Sequence, residues 1–173
     1  AERNALIAFY KATGGDNWHS IWGHTDVKNE NWCSDLPVSH WAGVRTNEQG
    51  FVTELRLPGC YLTGTIPSEI GNLTELEALQ LNSNNLEGEL PKELFKLNKL
   101  KFLVLKTNWL SGEIPEEIGN LTNLTELWLH QNRFTGPIPE SLIKLTKLID
   151  LRLCENPLSG LLPESFYEWN FWK

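Results

Sequence analysis

Residues 124–139 read LTELWLHQNRFTGPIP, and this pattern of leucine, asparagine, glycine and proline returns every 24 residues along the chain. A fixed period of this length is typical of repeat proteins, in which each unit buries its apolar face against its neighbours. The sequence therefore predicts a solenoid rather than a domain built around one closed core. Five units can be aligned over residues 52–165, and they begin at Val52, Leu76, Leu100, Leu124 and Leu148.

Most constant columns of the repeat have a simple structural explanation. Leucines in the fourth and sixth columns, such as Leu127 and Leu129, alternate with period two and predict a short strand whose leucines face the core. Stacked copies of that strand form a parallel sheet. Glycine in the thirteenth column and proline in the sixteenth, such as Gly136 and Pro139, favour a turn followed by a 3₁₀ or extended segment.

The ninth column is predicted to form a buried ladder of side-chain amides. An amide offers both donors and an acceptor to the backbone groups of a tight turn, which would otherwise lack hydrogen-bond partners. The first unit departs from the pattern, because Cys60 occupies the column there. The other units carry Asn84, Asn108, Asn132 and Asn156.

The whole pattern, L-x-x-L-x-L-x-x-N-x-L-x-G-x-I-P, resembles the plant-type leucine-rich repeat family. The resemblance implies an α/β repeat solenoid, a right-handed horseshoe with a concave parallel β-sheet and a convex side of 3₁₀ and extended segments. It also implies recognition, since members are mostly extracellular modules such as receptor ectodomains and inhibitors of cell-wall hydrolases.

Both ends of the stack are expected to carry caps, because the terminal repeats would otherwise expose leucines. Residues 1–51 are interpreted as a tryptophan-rich N-terminal cap, which begins with an amphipathic helix from Glu2 to Ala12. This cap resembles those of secreted or surface leucine-rich repeat proteins from bacteria and lower eukaryotes. Residues 166–173 are aromatic and are interpreted as a C-terminal cap or as the point at which a longer chain was cut.

Composition narrows the class of partner. The chain has 173 residues and a formal net charge of -7, which disfavours nucleic acid and anionic membranes. No apolar run approaches the ~20 residues that span a bilayer, so membrane insertion is not expected. No signal peptide is recognisable at the start, and we expect a secreted or cell-surface monomer whose signal peptide is absent from this chain.

Catalytic residues, metals and cofactors are not predicted. Cys33 and His40 are the residue types of a nucleophilic pair, but a structural role for both is the favoured interpretation. The candidate metal ligands lack the spacing of a metal-binding motif. These candidates are His19, His24, Asp26 and Asp35.

The three cysteines give no disulfide framework. Cys60 is expected to be buried and reduced in the ninth column, although pairing with Cys33 stays open. Cys154 is four repeats away from Cys60, so we expect it to be free.

Three sites match the acceptor motif for N-glycosylation: Asn72-Leu-Thr74, Asn120-Leu-Thr122 and Asn123-Leu-Thr125. The favoured interpretation is that Gly-Asn-Leu-Thr is a common filler of this part of the repeat.

A binding patch is predicted on the concave face. Side chains in the third, fifth and seventh columns point to solvent there, opposite the leucines. Around Trp128 these columns combine apolar and charged residues, as binding sites do. The other members are Phe102, Val104, Lys106, Glu126, His130, Asp150 and Arg152, with Trp109 and Arg133 of the tenth column along one edge.

The sequence therefore predicts a non-enzymatic extracellular recognition module that binds a protein or peptide on this patch, with a glycan as the less favoured ligand. A structural spacer or capping fragment of a larger surface protein is an alternative, as is an inhibitor of a cell-wall-degrading enzyme. A hydrolase or metalloenzyme centred on the cap is the least favoured.

Overall fold

A computed structural model describes residues 1–19 and 29–168 of the chain and has a six-stranded and a three-stranded sheet. His24 and Asp26, considered above as candidate metal ligands, lie outside the described residues. The strands are β1 (Val44–Thr46), β2 (Val52–Arg56), β3 (Ala78–Gln80), β4 (Glu87–Gly88), β5 (Phe102–Val104), β6 (Trp109–Glu113), β7 (Glu126–Trp128), β8 (Arg133–Thr135) and β9 (Asp150–Arg152).

The six-stranded sheet has the order β1-β2-β3-β5-β7-β9, and all pairs from β2 onward are parallel. Corresponding residues of successive repeats are paired, so that Leu79 is opposite Leu103 and Leu103 is opposite Leu127. These three leucines are fully buried. The alternation of leucine with other residues has thus placed one face of the sheet on the core and left the other face, which we call the sheet face, toward solvent.

A 3₁₀ helix follows the proline of each repeat. Proline has a fixed φ and no backbone N–H, so it suits the residue just before a helix begins. Ile70 and Ile118 on these helices are buried in the same core as the strand leucines. The core therefore lies between the six-stranded sheet and the 3₁₀ helices, and the predicted parallel sheet with 3₁₀ turns is confirmed. The helices are Ser68–Asn72, Lys92–Lys96, Glu116–Asn120, Glu140–Lys144 and Glu164–Glu168.

The three-stranded sheet, in the order β4-β6-β8, was not predicted. Its strands lie shortly after the ninth-column asparagine of each repeat, and they are also parallel. A bridge between Gly136 and Leu158 continues the pairing into the next repeat.

The N-terminal segment covers the first repeat. The helix α1 spans Glu2–Ala12, and its buried side chains are Ala5, Leu6 and Phe9. It packs against the 3₁₀ helix Ser68–Asn72. Phe9 and Tyr10 contact a cluster of buried indoles, Trp18, Trp32 and Trp41, whose neighbouring rings are 5.0 to 6.4 Å apart.

Gly64 shows how closely α1 approaches the repeats. Its φ is +70°, and a β-carbon at this position would overlap the carbonyl oxygen of Ala12. A hydrogen bond from Thr63 N to Thr13 O, 3.1 Å long, fixes the same contact. The glycine column thus serves two purposes here, a left-handed turn and space for the helix.

At the other end, Phe166 is buried and Tyr167 is 74% exposed. Residues 169–173, the rest of the aromatic closing segment, lie outside the described residues. Among the described residues, no helix is long and apolar enough to cross a membrane.

Candidate binding site

Trp128 lies on the sheet face between two cations. It follows Leu127 and precedes Leu129, both fully buried, so its own side chain points away from the core. The guanidinium carbon of Arg152 is 4.2 Å from the ring centroid, and Nζ of Lys106 is 5.4 Å from it. Such distances are those of cation–π interactions. We call Lys106, Trp128, His130, Asp150 and Arg152 the Trp128 cluster.

Strand register brings the cluster together. Trp128 on β7 is paired with Arg152 on β9 and with Val104 on β5. Lys106 lies two residues after Val104, on the same face of the extended chain. The geometry therefore follows from the 24-residue spacing, which places the same column of each repeat side by side.

Asp150 holds the guanidinium of Arg152 in place. Nε of Arg152 donates to Oδ1 at 3.0 Å and Nη2 donates to Oδ2 at 2.8 Å, so the ion pair is bidentate. These hydrogen bonds from Arg152 lower the pKa of Asp150, and the positive charge of Arg152 lowers it further. The carboxylate stays ionised, and Arg152 is fixed over the ring.

His130 is the buried member of the cluster. Its ring lies 6.2 Å from that of Trp128 in an edge-on arrangement, and the residue is only 9% exposed. Burial lowers its pKa first, and the positive charges of Lys106 and Arg152 lower it further. The imidazole is therefore neutral at pH 7. Its Nδ1 is buried without a hydrogen-bond partner among the described residues.

The prediction that the apolar residues of the patch are exposed is only partly correct. Val104 was expected to be exposed, but it is 4% exposed because the larger side chains of its register partners, Gln80 and Trp128, flank it on both sides. Phe102 is half-buried and is paired with Glu126 instead of Trp128. The hydrogen bonds to Asp150 are the main cause that raises the pKa of Arg152, and the charge of Glu126 raises it further, so Glu126 contributes to the electrostatics of the cluster.

Trp109 and Arg133 form a separate pair. They lie on β6 and β8 of the three-stranded sheet, and the guanidinium carbon of Arg133 is 4.1 Å from the ring centroid of Trp109. Trp109 is 47% exposed. Both residues line a shallow groove of about 310 Å³, which the sequence did not indicate; its lining also includes Asn85, Thr107, Gln131 and Glu155.

The asparagines of the ninth column are hydrogen-bonded both to the preceding repeat and to their own repeat. Asn108 Oδ1 accepts from Leu86 N at 3.0 Å, and its Nδ2 donates to Leu81 O at 3.0 Å and to Leu105 O at 3.1 Å. Asn108 is 7% exposed. The corresponding bonds recur at Asn84, Asn132 and Asn156.

The eighth column was missed by the sequence analysis. Ser83, Thr107, Gln131 and Glu155 all adopt a left-handed backbone, with φ between 55° and 60°. The side chains of the last three form a row: Thr107 Oγ1 donates to Gln131 Oε1 at 2.6 Å, and Gln131 Nε2 donates to Glu155 Oε2 at 3.1 Å. A signal was present in the first repeat, where Gly59 occupies this column with φ of 59°.

The cysteines are all free thiols. Cys60 is 2% exposed, and burial raises its pKa to about 11. Its backbone N–H donates to Asn84 Oδ1 at 2.9 Å, so the second repeat serves the turn that Cys60 occupies. Among residues 1–19 and 29–168, no group of three or more histidine, cysteine, aspartate or glutamate side chains is placed to hold a metal.

Comparison with known proteins agrees with the repeat architecture. Residues 52–166 match the family model of the leucine-rich repeat region. One curated relative, the probable inactive receptor kinase RLK902 of Arabidopsis thaliana, is 43% identical over 87 residues. That match covers 50% of this chain and 12% of the relative, so the chain spans about an eighth of the length of the curated relatives it matches.

Two solved structures show the likeness in three dimensions. A plant ice-binding protein superposes with a TM-score of 0.85 and 31% identity, covering 97% of this chain and 52% of that one. The plant peptide hormone receptor RGFR1, in complex with RGF2, superposes with a TM-score of 0.66 and 44% identity. That match covers 71% of this chain and 23% of the receptor.

Proposed function

The chain belongs to the leucine-rich repeat family, and we propose that it is a recognition module that binds a protein or peptide through the Trp128 cluster. The observation that carries this proposal is a tryptophan held between two cations on the solvent side of the parallel sheet. The core is formed without Trp128, so the fold does not require an aromatic residue at this position. We propose that the sheet face is the concave face and that it receives the ligand.

The cluster is arranged before any ligand arrives. Asp150 fixes Arg152, and Arg152 with Lys106 restrains the indole of Trp128. A restrained side chain loses little conformational entropy on binding, so more of the contact energy appears as affinity. Tryptophan and arginine are also the residue types that most often dominate binding energy in interfaces.

The charges indicate what the ligand carries. In the part of the chain that the structure describes, the ammonium of Lys106 has no carboxylate partner, whereas Arg152 is paired with Asp150. An acidic group beside Lys106 would therefore gain a charge pair without breaking one. An apolar side chain next to that acid would cover the exposed part of Trp128. We therefore propose an extended peptide segment in which an apolar residue lies beside an acidic one.

The similar proteins support recognition as the general role. RGFR1 is named as a peptide hormone receptor, and RLK902 as a probable inactive receptor kinase. On this basis we propose that the chain acts outside the cell or at its surface as a non-enzymatic module.

Ice binding is not carried over from the similar ice-binding protein. A crystal lattice is periodic and is matched by a row of identical side chains. The twelfth column of this chain, which runs along the three-stranded sheet, changes from Glu87 to Ser111 and Thr135. Because these side chains differ from repeat to repeat, the column does not form the periodic row that a crystal lattice would match.

The test uses an array of immobilised peptides in which an apolar residue and an aspartate occupy varied positions. A second set has each aspartate replaced by lysine. We expect the wild-type protein to bind a subset of the acidic peptides and not their lysine counterparts. Trp128→Ala should weaken this binding by about 2 kcal/mol, or about 30-fold in Kd.

The matched control is Trp109→Ala, which also removes a tryptophan stacked against an arginine, but on the other sheet. It should leave binding unchanged. Equal losses in both variants, or binding that ignores Trp128, would place the ligand elsewhere.

A further inference from the structure

We propose that the chain is a substrate for N-linked glycosylation at Asn72 and Asn120, and that the third acceptor motif, at Asn123, is not used in the folded protein. The inference rests on the proposed extracellular role, because the modification requires the secretory pathway. It concerns residues outside the Trp128 cluster.

Asn72 and Asn120 occupy the same position in two repeats. Each is the last residue of a 3₁₀ helix, Ser68–Asn72 and Glu116–Asn120. Both are exposed, and within the described ranges no hydrogen bond holds either side-chain amide. The nitrogen that would receive the sugar is therefore accessible at both sites.

The residue in the middle of each motif orients the other two. Leu73 and Leu121 are buried, with 1% and 0% exposure. Their backbone angles, φ near −85° and ψ near +60°, are close to those of an inverse γ-turn. The turn buries the leucine and leaves the asparagine before it and the threonine after it in solvent; Thr74 and Thr122 are both exposed.

Asn123 has the same motif in a different setting. Its Nδ2 donates to Asn98 O at 2.6 Å, and its Oδ1 accepts from Lys147 Nζ at 2.6 Å. The hydroxyl of Thr125 is also engaged and donates to Lys101 O at 3.0 Å. Both functional groups of this motif are therefore used by the neighbouring repeats, and the asparagine is only half-exposed.

The position of the two free sites is compatible with binding at the Trp128 cluster. The 3₁₀ helices lie across the core from the sheet face, so bulky glycans there leave that face uncovered. In the transfer, the asparagine Nδ2 forms a bond to C1 of an oligosaccharide, and the bond from C1 to the lipid pyrophosphate donor breaks. One amide proton is lost, and the lipid pyrophosphate leaves.

The experiment expresses the full chain behind a secretory leader in a eukaryotic host and analyses the protein recovered from the medium. Enzymatic glycan release in heavy-oxygen water converts each occupied asparagine to a labelled aspartate, which peptide mass spectrometry locates. We expect Asn72 and Asn120 to be labelled in most molecules and Asn123 in a small minority. Asn72→Gln and Asn120→Gln should each remove one glycan-sized step from the gel mobility, whereas Asn123→Gln should remove none.

Thr122→Val separates the two overlapping motifs, since it destroys the motif of Asn120 and keeps that of Asn123. In this variant Asn123 should stay unmodified. Labelling of Asn123 to the same extent as Asn72, or secreted protein without label at Asn72 and Asn120, would overturn the inference. Neither result depends on the peptide array, so a failure here is distinguishable from a failure of the proposed binding site.

Discussion

The guanidinium of Arg152 lies over the ring of Trp128, 4.2 Å from its centroid, while the same group donates two hydrogen bonds to Asp150. One arginine therefore fixes both an aromatic ring and a carboxylate. Arg152→Ala should raise the pKa of Asp150 toward its usual value, because the hydrogen bonds from Arg152 are the main cause of the lowered pKa. An NMR pH titration of the Asp150 carboxyl carbon measures this change.

The indole of Trp128 should also become more mobile in Arg152→Ala, which heteronuclear relaxation of its N–H would detect. Arg45→Ala is the control, because Arg45 is paired with Glu54 at 3.6 Å on another strand. An unchanged Asp150 titration in Arg152→Ala would show that the pair does not persist in solution.

His130 should make stability depend on pH. Its pKa is lowered in the folded protein by burial and by the charges of Lys106 and Arg152, whereas Glu155 and Asp150 oppose the shift. In the unfolded chain its pKa is about 6.5. Between the lowered pKa of the folded state and the pKa of the unfolded state, the unfolded chain binds more protons than the folded protein. Stability is therefore lost as the pH falls below about 6.5.

We expect the free energy of unfolding in urea to decrease between about pH 7.5 and about pH 5.5 in the wild type, and the slope to be smaller in His130→Gln. His40→Gln, at an exposed position of the cap, is the comparison. The same slope in the wild type and in His130→Gln would mean that His130 is solvated.

Asn108 should contribute more to stability than an exposed asparagine nearby. Asn108→Leu removes the partner of Leu86 N and of two buried carbonyls, at a cost of about 1–3 kcal/mol for each group left unsatisfied. Asn85→Leu changes an exposed residue one column further along and should have little effect. Urea denaturation of the two variants provides the comparison, and equal stability would contradict the ladder.

Thiol reactivity should separate Cys60 from the other two cysteines. Cys60 is buried with a pKa of about 11, whereas Cys33 and Cys154 are exposed. A thiol reagent at neutral pH should modify two cysteines in the native protein and the third only after unfolding, because the thiolate is the reactive form. Cys60→Ser should leave the native count at two; rapid modification of three thiols in the wild type would show that the first repeat opens readily.

The constant columns were enough to predict the parallel sheet and the 3₁₀ turns. Leucines such as Leu103 and Leu127 specify which face is buried, and Pro115 and Pro139 specify where a strand cannot continue. Both signals are local, since alternation and a fixed φ act within a few residues of the chain.

Features that depend on neighbouring repeats were harder to predict. Val104 has the alternation of an exposed residue, but the sizes of Gln80 and Trp128 on the adjacent strands decide its burial. Thr107 and Gln131 adopt a left-handed backbone although neither is glycine, so their residue types did not indicate it. The three-stranded sheet results from backbone pairing between repeats and leaves little trace in composition.

The amide ladder has a direction. Asn108 completes the turn before it at Leu86, and Asn132 completes the one at Leu110, so each repeat relies on the repeat that comes after it in the chain. Removing a repeat from the C-terminal side leaves buried backbone N–H groups of the repeat before it without their asparagine acceptor. In the first turn the acceptor is Asn84 of the second repeat, which is why a cysteine can occupy position 60. Each asparagine is therefore a contact between two repeats, so replacing one alters the turn of the repeat before it as well as its own turn.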